Sequence, residues 1–163
     1  MRISEILAEA FNQSYRLGVP YTYYGVFTVP FITDKGNKFV ISVQRYQPDM
    51  VDVIKDTIMG DESIYHDIDK GEEISFSYVD ENGEYYHHGD GDMPELGEDP
   101  MKIFTTVIEY INTRMKYGNT DMTVITPASP KLKSVYERML RRMVPAGFEY
   151  HKAGNKDVII RST

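Results

Sequence analysis

Three sets of side chains in this sequence have the types and spacing to do chemistry. The first is histidine among carboxylates: His87 and His88 stand beside Asp90 and Asp92, and His66 beside Asp67 and Asp69. Such a mixture suits a hard cation or a His/carboxylate metal centre. Adjacent strand residues point to opposite faces, however, so His87 and His88 cannot share one metal without a bulge. Asp67-x-Asp69-Lys70-Gly71 is not an EF-hand loop, because its glycine falls one position early and the closing glutamate is absent. Solvated acidic turns are the better reading, and no metal site is assigned. The second set is a basic helical face, Lys131, Lys133, Arg138, Arg141 and Arg142, which could meet phosphates, the chain's own acids or an acidic partner. The third is Tyr136, on the same segment as Ser129 and Ser134. A phenol of pKa about 10 can protonate a departing anion, or it can simply lie on its helix's apolar side. Neither serine has a base close in sequence, and Ser129 before Pro130 reads as a helix cap.

Composition limits the choices further. The 163 residues contain no cysteine and no tryptophan, with 13 tyrosines and 9 methionines. Thiolate catalysis, a disulfide scaffold and every zinc site that needs sulfur are excluded. The length fits one domain spanning 1–163 with a core of its own. No apolar run approaches the ~20 residues of a bilayer span, and residues 1–18 lack the apolar centre of a signal peptide. A soluble protein with no membrane partner is expected.

The formal charge of −7 is unevenly spread. Residues 49–99 hold 17 acids against Lys55 and Lys70, a net of −15, while residues 100–163 are +6. This is either an electrostatic polarity used in recognition or a solubilising acidic region. Nucleic acid is not expected as a partner, since a binding domain would be strongly basic.

These side chains must be positioned by regular elements, and their order can be read from periodicity. Ser4 caps a first helix whose apolar positions Ile6, Leu7, Ala10, Phe11 and Leu17 lead to Gly18. Residues 21–31 are dense in aromatic and β-branched types and read as one strand, with Pro30 at an edge. The turn 33–37 leads to a second strand at 39–46, forming a hairpin. Residues 48–59, with Pro48 at the first position and Gly60 as stop, predict a helix. Residues 72–79 alternate as a strand, and Asn82-Gly83 predicts a primed hairpin turn into residues 84–88. Asp99-Pro100 opens the most secure helix, with Phe104, Val107, Ile108, Ile111 and Met115 in one stripe and Gly118 as stop. A short buried strand at 121–128, a helix from Ser129-Pro130 and a closing hairpin across residues 153–156 complete the order αββαββαβαββ. The fold class expected is α/β (α+β), a mixed, mostly antiparallel sheet flanked by helices. Not all of Tyr21, Tyr23, Tyr24, Tyr46, Tyr78, Tyr85 and Tyr86 can be buried with satisfied hydroxyls, so some should line a cleft or interface.

That order, and residues 100–163 in particular, resemble the GNAT superfamily of N-acyltransferases. In that family a helix carrying an Asn, a small residue and a Leu-Tyr pair precedes a Gly-Phe. Here Ser129 stands at the Asn position, Leu132 at the small residue, Val135 at the Leu, Tyr136 at the Tyr and Gly147-Phe148 at the Gly-Phe. The stretch from Tyr136 to Gly147 is longer than the family pattern, so the helix should extend by a turn or two. The chain also resembles GNAT-like proteins of tailed phages, some of them internal virion proteins. The resemblance implies a general-acid role for Tyr136, protonating a departing CoA thiolate. It also implies cofactor contacts at Thr126, Ser129 and Lys131.

The family's acyl-CoA signature is missing. A basic, glycine-rich turn between the central strand and the long helix normally cradles the CoA pyrophosphate on backbone N–H groups. The equivalent stretch here, residues 89–100, carries Asp90, Asp92, Glu95, Glu98 and Asp99. One like charge at about 4 Å costs roughly 4 kcal/mol at an effective dielectric of ~20. A helix terminus contributes only about 0.3–1 kcal/mol. The expectation is therefore a catalytically degenerate GNAT-fold protein that acts through protein–protein contacts, as a virion component or host-factor inhibitor. It would work in the host cytoplasm or the virion, with no resident cofactor. An active N-acyltransferase using acetyl-CoA, or a related acyl donor, is the alternative. An acidic DNA mimic is a second alternative.

Overall fold

The computed structural model describes residues 14–59, 68–87, 95–118, 120–126 and 133–162. Among these, eight strands form one sheet: β1 (Tyr21–Tyr23), β2 (Val26–Ile32), β3 (Lys38–Arg45), β4 (Gly71–Val79), β5 (Tyr85–His87), β6 (Met122–Ile125), β7 (Phe148–Ala153) and β8 (Lys156–Arg161). Three helices accompany them, α1 (Pro48–Met59), α2 (Pro100–Tyr117) and α3 (Lys133–Arg142). The sheet order is β1-β2-β3-β4-β6-β8-β7, and β5 also pairs with β4. Every pairing is antiparallel except β4 with β6. The expected mixed, mostly antiparallel sheet flanked by helices is the architecture observed.

Side-chain alternation along the strands builds a core on each face. Val29, Phe31, Phe39, Ile41, Val43, Ile74, Phe76 and Ile125 face α2 and α3, meeting Phe104, Val107, Ile108, Ile111, Met115, Met139 and Leu140. Val124, Val158, Ile160 and Met122 face the other way, onto Val51 and Ile54 of α1. The α2 stripe is buried as its spacing requires, and each such large apolar side chain contributes about 1.5–3 kcal/mol. Asp99 caps α2 by accepting from Met101 N at 3.0 Å, Pro100 takes the first turn, and Gly118 donates to Arg114 O at the far end. α3 continues past Tyr136 to Arg142.

Three local expectations need correction. Residues 14–17 are not helical; Tyr15 and Leu17 alternate, and both turn towards the core. Tyr15 stacks on Phe31 at 5.9 Å, and Leu17 bridges Phe31 across an antiparallel contact. The rest of that helix, residues 4–13, lies outside the described residues. The single strand expected over 21–31 is two strands, folded back at Tyr24-Gly25 with Tyr23 opposite Val26. Both turn residues have positive φ, 47° and 78°, which is the signature of a type I′ turn. At Asn82-Gly83 the reverse holds: only Gly83 is left-handed, and Asp80 closes the turn instead. Its Oδ1 accepts from Asn82 N and Glu84 N at 2.8 and 2.9 Å, so no primed turn forms. Pro30 falls where an edge is needed. Its carbonyl accepts from Gly18 N at 2.7 Å, so its missing N–H points away from β3 and no ladder bond is lost.

Candidate functional site

The parallel pair determines where a cleft can open. β4 and β6 run together from Gly71 opposite Met122 to Ile74 opposite Ile125 and then part. β3 takes one side of β4 along its whole length, so β6 and β5 share the other. Beyond the divergence, β5 occupies that edge, with Ser77 opposite His87 and Val79 opposite Tyr85.

Polar side chains gather where the strands part. Thr126, the residue after β6, donates from Oγ1 to Glu73 Oε1 at 2.6 Å. Tyr46 presents its phenol towards the same carboxylate. Burial, the Glu73 charge and hydrogen bonding with Glu73 raise the Tyr46 pKa above the ordinary phenol range. On the face covered by α2 and α3, Asp157 lies opposite Ile125 and accepts a hydrogen bond from the Tyr150 hydroxyl. Asp157 is buried, and burial together with this bond raises the Tyr150 pKa. Arg141 covers the Tyr150 ring at 5.0 Å, and Glu137 ties Arg141 and Lys152 together at 3.0 and 2.7 Å. The carboxylate of Glu137 is lowered in pKa, first by its bond to Lys152.

The sequence-derived candidates are therefore only partly assembled. Thr126 is at the divergence, but its hydroxyl is committed to Glu73. Tyr136 sits on α3, and its side chain lies outside the described residues, as do Ser129 and Lys131. His66, His88 and the side chain of His87 lie outside them too. Among the described residues no group of three or more His, Asp or Glu side chains could hold a metal ion. Of the basic face, Arg141 is partnered within its own helix by Glu137. Sequence reasoning missed Glu73, Tyr150 and Asp157, whose contacts depend on strand register, and named Tyr46 only among the tyrosines expected to line a cleft or interface. One signal was available: Asp157 interrupts an otherwise apolar strand start at residues 157–160.

The amino end of α2 is far from an open cradle. Glu98 Oε1 accepts from Thr33 Oγ1 and Asn37 Nδ2, both at 2.6 Å, and Lys35 Nζ donates to Gly97 O at 2.5 Å. Lys102 pairs with Asp34 at 2.9 Å and lies 4.3 Å over the Tyr15 ring. Its pKa is raised, chiefly by the Asp34 hydrogen bond. The helix start is thus stapled to the β2–β3 turn, and its own Asp99 fills the cap. Among the described acids of residues 49–99, Glu72 turns to Arg114 on α2 and Glu73 turns to Thr126.

A cluster of exposed aromatics stands apart from these contacts. Tyr24 is 89% exposed at the tip of the β1–β2 turn, beside Tyr23 at 45%. Their rings meet edge-on at 4.6 Å, and Tyr23 stacks on Tyr85 at 5.6 Å. The Tyr85 pKa is pushed up to about 12 by burial and by hydrogen bonding with Tyr21. No family model, curated protein or solved structure matches this chain.

Proposed function

We propose that this chain is a GNAT-like domain without acyl-CoA chemistry, acting by contact with another protein as a virion component or an inhibitor of a host factor. One observation carries the reading: the amino end of α2, where a GNAT-like chain would hold an anionic cofactor, is filled by its own carboxylates. Asp99 takes the free N–H of Met101, and Glu98 is clamped by Thr33 and Asn37. A pyrophosphate there would displace satisfied bonds and meet two like charges. The placement of β5 along the diverging edge of β4 supports the same conclusion, because it narrows the gap where an acyl chain would thread.

The contact surface is assigned to Tyr23, Tyr24 and Tyr85. Tyrosine combines a large apolar body with a polar tip and is enriched at protein interfaces. Tyr24 is held at positive φ while almost wholly exposed, and strain of that kind concentrates at functional sites. Calorimetric titration with acetyl-CoA tests the proposal. No saturable heat is expected up to about 1 mM ligand, and a dissociation constant near ~1 μM would overturn it in favour of an active acyltransferase.

A further inference from the structure

The two ends of the sheet are finished differently. At one end β1 is only three residues long, and the rest of β2's outer edge is covered by the Leu17 bridge, the Gly18-to-Pro30 bond and a proline. These are the usual devices against unwanted strand pairing. At the other end, β7 runs for six residues with no proline and no bulge, in unbroken register with β8 from Phe148–Arg161 to Ala153–Lys156.

The backbone phase of β7 can be deduced. Ser162 N donates to Gly147 O, so Gly147 faces β8, and by alternation Glu149, His151 and Ala153 face it too. Phe148, Tyr150 and Lys152 therefore direct their backbone groups outward. Phe148 N donates to Pro145 O, whereas among the described residues no bond is found for the outward N–H and C=O of Tyr150 and Lys152. Lys152, a natural gatekeeper for such an edge, has its Nζ drawn back to Glu137 at 2.7 Å.

We infer that β7 pairs with β7 of a second copy of this chain, antiparallel across a two-fold axis at Tyr150, joining the two sheets into one. The strand's own sequence argues for this occupant. A perpendicular two-fold keeps each face of the sheet continuous, so opposed residues must share a face. Centring on Tyr150 sets two outward-facing residues opposite each other, as a hydrogen-bonded pair requires. It also places Glu149 opposite His151 of the other copy, and Phe148 opposite Lys152. Both Glu149–His151 pairs unite a carboxylate with an imidazole, next to the same contact made within each chain at 3.0 Å. No like charges oppose each other anywhere in this register, and cross-strand pairs of this kind favour association.

Sedimentation equilibrium of the full chain tests the inference. The parent protein should reach twice 18.8 kDa as concentration rises. His151→Glu alone sets Glu149 against a glutamate and should weaken the dimer about tenfold, and Glu149→Lys alone should act in the same direction. The double variant Glu149→Lys/His151→Glu restores opposite charges in swapped positions and should regain the dimer. These side chains lie on the sheet surface, and circular dichroism checks that each variant stays folded. A parent chain that remains monomeric to about 100 μM overturns the inference. So does a dimer indifferent to both single charge changes.

Discussion

Arg114 donates from Nε and Nη2 to the two carboxylate oxygens of Glu72, at 2.7 and 2.8 Å, joining the last turns of α2 to the start of β4. Glu72 is 2% exposed, so this fork takes the place of water around its carboxylate. The guanidinium is raised in pKa first by that hydrogen bond, and it also lies over the rings of Phe27 and Tyr110 at 5.7 and 5.9 Å. A bidentate geometry of this kind cannot be reproduced by lysine.

Removing one partner should therefore be costly. Arg114→Ala leaves a buried carboxylate uncompensated, and breaking such pairs costs about 3–5 kcal/mol. The lower end is expected here, because the Arg114 side chain is itself 26% exposed. Replacing both residues by apolar ones, Arg114→Met with Glu72→Leu, should recover most of the loss. Urea unfolding of the two variants beside the parent checks this, and a loss under about 1 kcal/mol for Arg114→Ala would contradict it.

Gly71 marks the tightest seam of the second core. A Cβ there would come 2.9 Å from Val51 Cγ2 on α1 and 2.9 Å from Met122 Cε on β6. The methionine terminus can swing aside, but a β-branched valine is stiff at χ1, so the clash with Val51 decides the outcome. Gly71→Ala should destabilise by about 1–3 kcal/mol, and pairing it with Val51→Ala should relieve part of that strain. Additive losses in a double-mutant cycle would show that the two side chains do not compete for space.

How much of this could be read in the sequence follows from the range of each interaction. α2 was legible throughout because its cap, its proline and its apolar stripe all lie within the helix. The divergence site was not, because Thr126 and Glu73 are 53 residues apart and meet only through the parallel pairing of β4 with β6. Composition marks a strand but not its neighbour. The fold-back at Tyr24-Gly25 was hidden for another reason: a tyrosine at φ 47° contradicts the residue preference that signals a turn. The acidic approach to α2 was legible as charge, whereas the hydrogen bonds that hold Glu98 in place come from Thr33 and Asn37, in the β2–β3 turn more than 60 residues away.

Alkaline pH should weaken the fold in a defined window. Tyr46 and Tyr150 are raised above 10.0 first by burial, aided by Glu73 and Asp157 respectively, and Tyr85 is raised to about 12. The folded state thus holds these protons more tightly than the unfolded chain does. Stability from these groups is fully present below pH 10 and falls as pH rises from there through the folded-state values. Phenolate absorbance should accordingly appear in two steps, the second coinciding with loss of far-UV circular dichroism. Tyr150→Phe should flatten part of the alkaline decline while costing about 1 kcal/mol at neutral pH through its lost bond to Asp157. An unchanged alkaline profile in that variant would remove Tyr150 from this account.

Tyr24 supplies a prediction in which stability and contact pull apart. An L residue in the left-handed region carries a cost of about 1–2 kcal/mol, and asparagine bears it best at the first position of a type I′ turn. Tyr24→Asn would lose the edge-on contact with Tyr23, worth roughly 0.5–1.5 kcal/mol. The ring is almost wholly solvated, so the lower figure applies, and the variant should gain a few tenths to about 1 kcal/mol. Thermal unfolding should show a raised midpoint with unchanged cooperativity. A midpoint lowered by the equivalent of more than about 1 kcal/mol would mean that the tyrosine serves the hairpin itself. A raised midpoint leaves a strained, exposed aromatic that the fold does better without, and its presence is then explained by what it touches outside the chain.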